Sequence, residues 1–160
     1  MTQAQTGGAG MHKSFIALAA SVLLAGTAAA GDKTDVMAVV HQWVHAFNQG
    51  DMTAMAATCA DQASIIDDFP PHVWTGAGAC AGWATDFQAF VKSREITDPA
   101  VSLGKAWHID VTADFAYVVA PTIFSFKHKG KAVTENGILT AVLQKGAPGW
   151  RMIGWAWADH

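Results

Sequence analysis

From residue 36 the apolar positions fall at Val36, Val39, Val40, Trp43, Val44 and Phe47. Intervals of three and four place them all on one stripe of an α-helix. Thr34 or Asp35 can cap its start, and Gly50 can end it. Asp51 opens a second, shorter helix with Met52, Met55, Ala56 and Cys59 on one face. "QASII" then reads as a short strand, and Pro70 and Pro71 forbid its continuation. Gly76 and Gly78 mark a turn, so His72 and Trp74 fall in a loop. A third helix carries Cys80, Trp83, Phe87, Phe90 and Val91 at helical spacing. After Asp98 and Pro99 the pattern changes to alternation, with Val101, Leu103, Trp107 and Ile109 on every second position. Turns at 112–114, 129–131 and 145–149 separate three longer strands, at 115–127, 132–144 and 150–158. Helices followed by an antiparallel meander give an α+β class. Three N-terminal helices should pack on a strongly curved, mainly antiparallel sheet and leave a ligand-size cavity. Neither internal repeats nor a linker suggest a second domain.

The start of the chain follows another pattern. Residues 11–30 read "MHKSFIALAASVLLAGTAAA". A short basic start, an uncharged apolar run and Ala28-x-Ala30 read as a secretory leader cleaved after Ala30, the alternative being an uncleaved anchor or a lipid-facing helix. The apolar run falls short of the roughly 20 residues a spanning helix needs. Residues 1–10 have no periodicity, and Met11 can be the true start. The expected division is residues 1–30 as extension and signal peptide and 31–160 as one domain. That makes the protein periplasmic or secreted, with no membrane attachment after cleavage.

Composition sharpens this picture. Losing the leader removes Lys13 and moves the formal charge from −3 to −4. Mild acidity without clustered Lys or Arg argues against a nucleic-acid surface. Seven tryptophans and eight phenylalanines in so short a chain imply a large core or a lined cavity. Cys59 and Cys80 can pair in an oxidising compartment, closing a loop worth about 3 kcal/mol; the alternative is two buried thiols. No Cys/His zinc spacing is present, and neither a G-x-S-x-G nor a P-loop occurs. No metal and no cofactor are expected.

The candidate chemistry centres on "IIDDFPPHVWTG", residues 65–76. On a strand Asp67 and Asp68 would point to opposite faces, so at most one would enter a cavity. A carboxyl among Trp and Phe would hold its proton more tightly and could act as general acid or base. His72 could contact a ligand or relay a proton, with Trp74 as a wall. Glu135 shares a strand face with Val133 and Leu139, and would lie opposite Asp67 if that face is inward. Tyr117 and Trp155 are further candidates, and Trp157 shares the face of Trp155. His108 and Asp110 read as a solvated outer face, as do His41 and His45 on the first helix.

Three segments carry a resemblance. They are "WVHAFNQGD" (residues 43–51), "CADQASIIDDFPPHVWTG" (59–76) and "GAPGWRMIGWAWA" (146–158). In these the chain resembles the nuclear transport factor 2-like superfamily, the cone fold of ketosteroid isomerases and SnoaL-like polyketide cyclases. The resemblance covers nearly all of residues 31–160. It implies a cone with a cavity between helices and sheet, and a homodimer through the outer sheet face. It places Asp67 where isomerases keep their proton-transferring Asp. Trp43 stands where they have a Tyr, and Thr140 near where they have a second Asp. One of three catalytic groups is therefore present.

Three functions follow as expectations. The first is an exported domain binding an apolar or aromatic small molecule, with Asp67, His72 and Glu135 as polar rim. Trp43, Phe47, Asp68, Trp74, Trp83, Tyr117 and Trp155 would then contact the ligand. The second is a SnoaL-like or ketosteroid-isomerase-like enzyme for proton transfer, isomerisation or dehydration, with Asp67 as base. The third is an interaction module whose core its own side chains fill.

Overall fold

A computed structural model of the chain describes the backbone of residues 20–160 and the side chains from residue 30 onward. The expected leader over residues 1–30 lies, but for Ala30, outside the residues whose side chains are described. Helix α1 (Ala20–Asn48) begins well before the expected cap at Thr34 or Asp35. Alanine is the best helix former, and "ASVLLAGTAAA" contains no proline to stop the helix. Thr34 therefore sits inside the helix, its Oγ1 donating to the Ala30 carbonyl at 3.1 Å. Val36, Val40, Trp43, Val44 and Phe47 are buried, as the stripe required.

The helix ends on Gly50 at φ 70°, a left-handed position that glycine takes without a Cβ clash. The Asp51 amide donates to the Ala46 carbonyl and the Gly50 amide to that of Phe47, which closes the helix end. Asn48 reaches further. Its side chain donates to the Val101 carbonyl at 2.8 Å and accepts from the Val101 amide at 2.7 Å. Asp51 caps α2 (Met52–Ala56) by accepting from the Ala54 amide. This helix is shorter than expected, and Cys59 leaves its face for strand β1 (Cys59–Ile66). The chain is drawn off by a backbone partner: the Met152 amide bonds the Thr58 carbonyl, and Cys59 pairs with Met152.

Strand β2 (Val73–Ala77) pairs antiparallel with β1, where the sequence suggested a loop and turn. The prolines confine the break to residues 67–72, bridged by hydrogen bonds from the Asp67 amide to the His72 carbonyl and from the His72 amide to the Phe69 carbonyl. Val73, Trp74 and Thr75 suit a pleated surface and resume the ladder. Helix α3 (Ala79–Ser93) follows, burying Cys80, Trp83, Ala84 and Phe87. The expected disulfide joins Cys59 to Cys80 and so ties β1 to α3.

The rest is sheet: β3 (Ile96–Leu103), β4 (His108–Thr112), β5 (Phe115–His128), β6 (Lys131–Gly146) and β7 (Gly149–Asp159). The order is β2-β1-β7-β6-β5-β3, with β4 also paired to β5. Only β1 and β7 run parallel among these pairs. Register shifts in β1/β7, β3/β5 and β6/β7 add local twist. The sheet curls around the helices without closing, giving the expected α+β class. Ala116, Val118, Leu139, Ala141 and Leu143 fill the inner face with buried core. Among the described residues no helix is long and apolar enough to cross a membrane.

Candidate small-molecule site

Further along the same strands the inner side chains become aromatic, and a cavity of about 150 Å³ opens. Helix α1 contributes Trp43 and Phe47, and α3 contributes Trp83, Phe87 and Phe90. The sheet contributes Phe124, Phe126, Trp155 and Trp157. The rings brace one another: Trp83 stacks on Phe87 at 5.0 Å, and Trp43 stacks on Phe47 at 5.9 Å. Trp155 meets Trp83 edge-on at 4.9 Å and Trp43 at 5.2 Å. The indole nitrogens of Trp43 and Trp155 are buried without a hydrogen-bond partner.

Trp157 owes its place to a glycine. A Cβ on Gly137 would lie 2.3 Å from the Trp157 ring, so only glycine lets the indole lie against β6. The Trp157 N–H then donates to Thr122 Oγ1 at 2.8 Å.

Asp67 is the buried acid of the cavity. Ala63, Ile65 and Asp67 share the inward side of β1 and its extension, and Asp67 is 8% exposed. Its Oδ2 accepts from the Trp83 indole N–H at 2.8 Å, and its Oδ1 accepts from the Asp68 amide at 2.8 Å. Burial pushes its pKa from 3.8 to about 7. The two hydrogen bonds pull downward, while the neighbouring Asp68 carboxyl adds to the rise. Asp68 is exposed yet also lines the cavity mouth. The alternation that would have sent it to the far side ends with β1 at Ile66. Glu135 lines the opposite wall, on the inner face of β6 shared with Leu139. Its pKa is raised by burial first, then by the charges of Asp159 and Asp68.

Three expected site residues lie elsewhere. His72 is exposed at φ 74°, with its Nδ1 3.1 Å from the Asp67 carbonyl oxygen, outside the lining. Trp74 is buried but sits behind the wall. Its N–H donates to Asp86 Oδ2 at 2.8 Å, and its ring supports Phe69 at 5.1 Å. Tyr117 is 42% exposed on the outer face of β5, 5.9 Å from His108, so it is no wall of the cavity. Thr140 also faces outward, between the buried Leu139 and Ala141. His108, Asp110, His41 and His45 are exposed, as expected. No group of three His, Cys, Asp or Glu able to hold a metal occurs among the described residues.

Sequence reasoning did not single out Phe69, Phe124 or Phe126 as lining residues. Period-two alternation on β5 could not find the last two, because Phe115, Tyr117 and Ile123 make its other face equally apolar. Only the pairing of Phe124 with Glu135 and Phe126 with Val133 settles which set turns inward.

Chemically, the site can enclose a flat apolar group in rings and present one carboxyl that changes charge near neutrality. Among the described residues, the buried N–H groups of Trp43 and Trp155 are the lining's unpaired donors.

Comparisons with known proteins agree with this architecture. The SnoaL-like domain matches residues 36–156. An NTF2-like protein with a cystatin-like fold from Novosphingobium aromaticivorans superposes with a TM-score of 0.71 at 15% identity, covering 88% of this chain and 89% of that one. A ketosteroid isomerase-like protein from Erwinia carotovora atroseptica gives 0.64 at 20% identity, over 80% and 95% of the two chains. A nuclear transport factor 2-like superfamily protein from Salmonella enterica gives 0.67 at 15% identity, over 81% and 92%. At such identities these likenesses establish the fold. No curated protein matches the chain.

Proposed function

The chain belongs to the SnoaL-like family, and from that premise we propose that its cavity binds one small, flat, largely apolar molecule. Asp67 holds the polar end of that molecule. The observation that carries this reading is an aromatic cavity of about 150 Å³ closed around one buried carboxyl. Size narrows the ligand: a protein cavity of about 150 Å³ holds benzene. One ring fits, and a fused four-ring skeleton does not. Titration with single-ring aromatics, followed by tryptophan fluorescence, tests this. Saturable quenching that Trp83→Ala or Phe87→Ala abolishes is the expected result. Ligands that leave the indole emission unchanged at millimolar concentration would sink the reading.

A second reading is favoured by one observation, the burial of Asp67 among rings, which pushes its pKa up to about 7. A general base works best when its pKa lies near the working pH. On this reading Asp67 moves a proton within the bound molecule, by isomerisation or dehydration. Asp67→Asn then abolishes turnover while the cavity still takes up a neutral single-ring molecule. Turnover that survives this change excludes Asp67 as the base.

Two proposals concern the protein as a whole. Export is supported by the leader-like residues 11–30 and by the Cys59–Cys80 bridge, which an oxidising compartment maintains. A homodimer through the outer sheet face is supported by Phe115, Tyr117 and Ile123, three large side chains exposed along one strand. Sedimentation of the wild type and of Tyr117→Lys tests the pairing, with the variant expected to run as a monomer.

A further inference from the structure

We propose that the cavity's ligand is a cation: a positively charged nitrogen carried on, or beside, a single apolar ring. This rests on the reading of the cavity as a small-molecule site and adds the sign of the ligand's charge. Two independent features point the same way.

The first is the charge on the lining. Asp67, Asp68 and Glu135 face the cavity, and no Lys, Arg or His stands among the lining residues. The described ion pairs are Lys127–Asp98, Lys129–Glu95 and Lys145–Asp32, all elsewhere. The carboxyls of Asp67 and Glu135 thus face one small apolar space with no cation among its lining residues, and the exposed Asp68 stands at its mouth. A carboxylate out of water must gain a positive partner or take up a proton. Burial presses the pKa of both Asp67 and Glu135 upward, the direction a carboxyl takes where no positive partner stands beside it.

The second feature is the wall, whose composition does not depend on the acids. Ring faces carry negative potential, so they attract cations and disfavour anions. Rings arranged around a space are the recognised means of holding a quaternary ammonium. The chain supplies its own instance on the shelf outside the cavity. The Arg94 guanidinium sits 5.7 Å from the centre of the Phe90 ring. Arg94 and His128 line the outer shelf that adjoins the cavity past Asp68 and Phe126, not the cavity itself. An anion entering would meet both the carboxyls and an aromatic lining, and a neutral ligand would leave the carboxyls without a positive partner. A cation satisfies both.

The groups facing Asp67 predict the pH dependence. Asp68 lies beside it, Glu135 opposite and His72 against its backbone carbonyl. Asp159 acts on Glu135 from β7. Most of these neighbours are acids, so the cation should bind more tightly as pH rises through about 7, where Asp67 ionises.

Three single-ring probes separate charge from shape. Phenyltrimethylammonium and tert-butylbenzene share a shape and differ in charge, and benzoate carries the opposite charge. Binding to the full chain is read by calorimetry and tryptophan fluorescence at pH 8 and pH 5. The cation is expected to bind at least about tenfold more tightly than the neutral isostere at pH 8. That preference should shrink at pH 5, and benzoate should bind weakest. Glu135→Gln, whose carboxyl has no described hydrogen bond to lose, should cut the cation's affinity and spare tert-butylbenzene. Asp67→Asn should do the same and flatten the pH response. Equal or tighter binding of tert-butylbenzene, or a preference for benzoate, overturns the cationic ligand and leaves the small-molecule site standing. Failure of all three probes overturns both.

Discussion

On one side of the cavity, β1 and α3 are short elements that meet through discrete links, the Cys59–Cys80 bond and the Trp83–Asp67 hydrogen bond. On the other side, β5, β6 and β7 are long strands joined by continuous backbone ladders. The ladder side supports itself and carries most of the sheet's aromatic wall. The linked side carries the buried carboxyl, held at an angle that no ladder imposes. Rigidity from repetition and rigidity from a few specific links should therefore fail differently.

The largest expected effect is on the linked side and depends on pH. Asp67 has a folded pKa of about 7 against 3.8 ordinarily. A carboxyl with a raised folded pKa keeps its proton better when folded. Stability therefore falls as pH rises between those two values. In full this amounts to on the order of 4 kcal/mol. Urea denaturation of wild type and Asp67→Asn from pH 4 to pH 8 should show the wild-type slope removed in the variant. Parallel curves would contradict the raised pKa.

Next comes the covalent link. Replacing Cys59 and Cys80 with alanine releases a loop of 21-residue separation. It should cost about 3 kcal/mol in denaturation midpoints. Amide exchange should then rise first in β1 and α3, with the centres of β5 and β6 still protected. A uniform rise across the sheet would erase the contrast between the two sides.

Gly137→Ala attacks the ladder side where it is specific rather than repetitive. The added methyl displaces the Trp157 ring and should cost about 1–3 kcal/mol, with shifted tryptophan emission. An unchanged emission spectrum would mean that the ring does not lie against β6. The smallest effect belongs to Asn48→Ala, which removes two hydrogen bonds to Val101 at about 1 kcal/mol each. A loss confined to α1 and β3, seen by amide exchange, is the expected readout.

The same contrast explains what the sequence could convey. The ladder side was legible almost to the residue. Turns such as Lys129-Gly130 punctuate long apolar runs, and a hairpin then follows with little choice. The stripe of α1 was legible because its intervals fit only a helix. The linked side was not. β2 hid behind Pro70-Pro71 and Gly76, and α2 lost Cys59 to a parallel pairing with β7 that lies far along the chain. Asp67 could be placed from the end of a strand and from family resemblance. The direction of Glu135 could not, because both faces of β5 are apolar. Trp74 reads as a wall until its N–H finds Asp86, a partner on α3 that no spacing announces. Tyr117 fell with the outward face, which period two alone cannot distinguish from the inward one.

The Cys59–Cys80 bridge and the Asp67–Trp83 bond join the same strand to the same helix at two separate points. The ladders to β2 and β7 hold the strand in the sheet, and these two links set how the helix lies across it. The heading of the Asp67 carboxyl is thus triangulated from a sulfur bond two residues into α3. A reducing medium would take away one of the two points and let that heading drift.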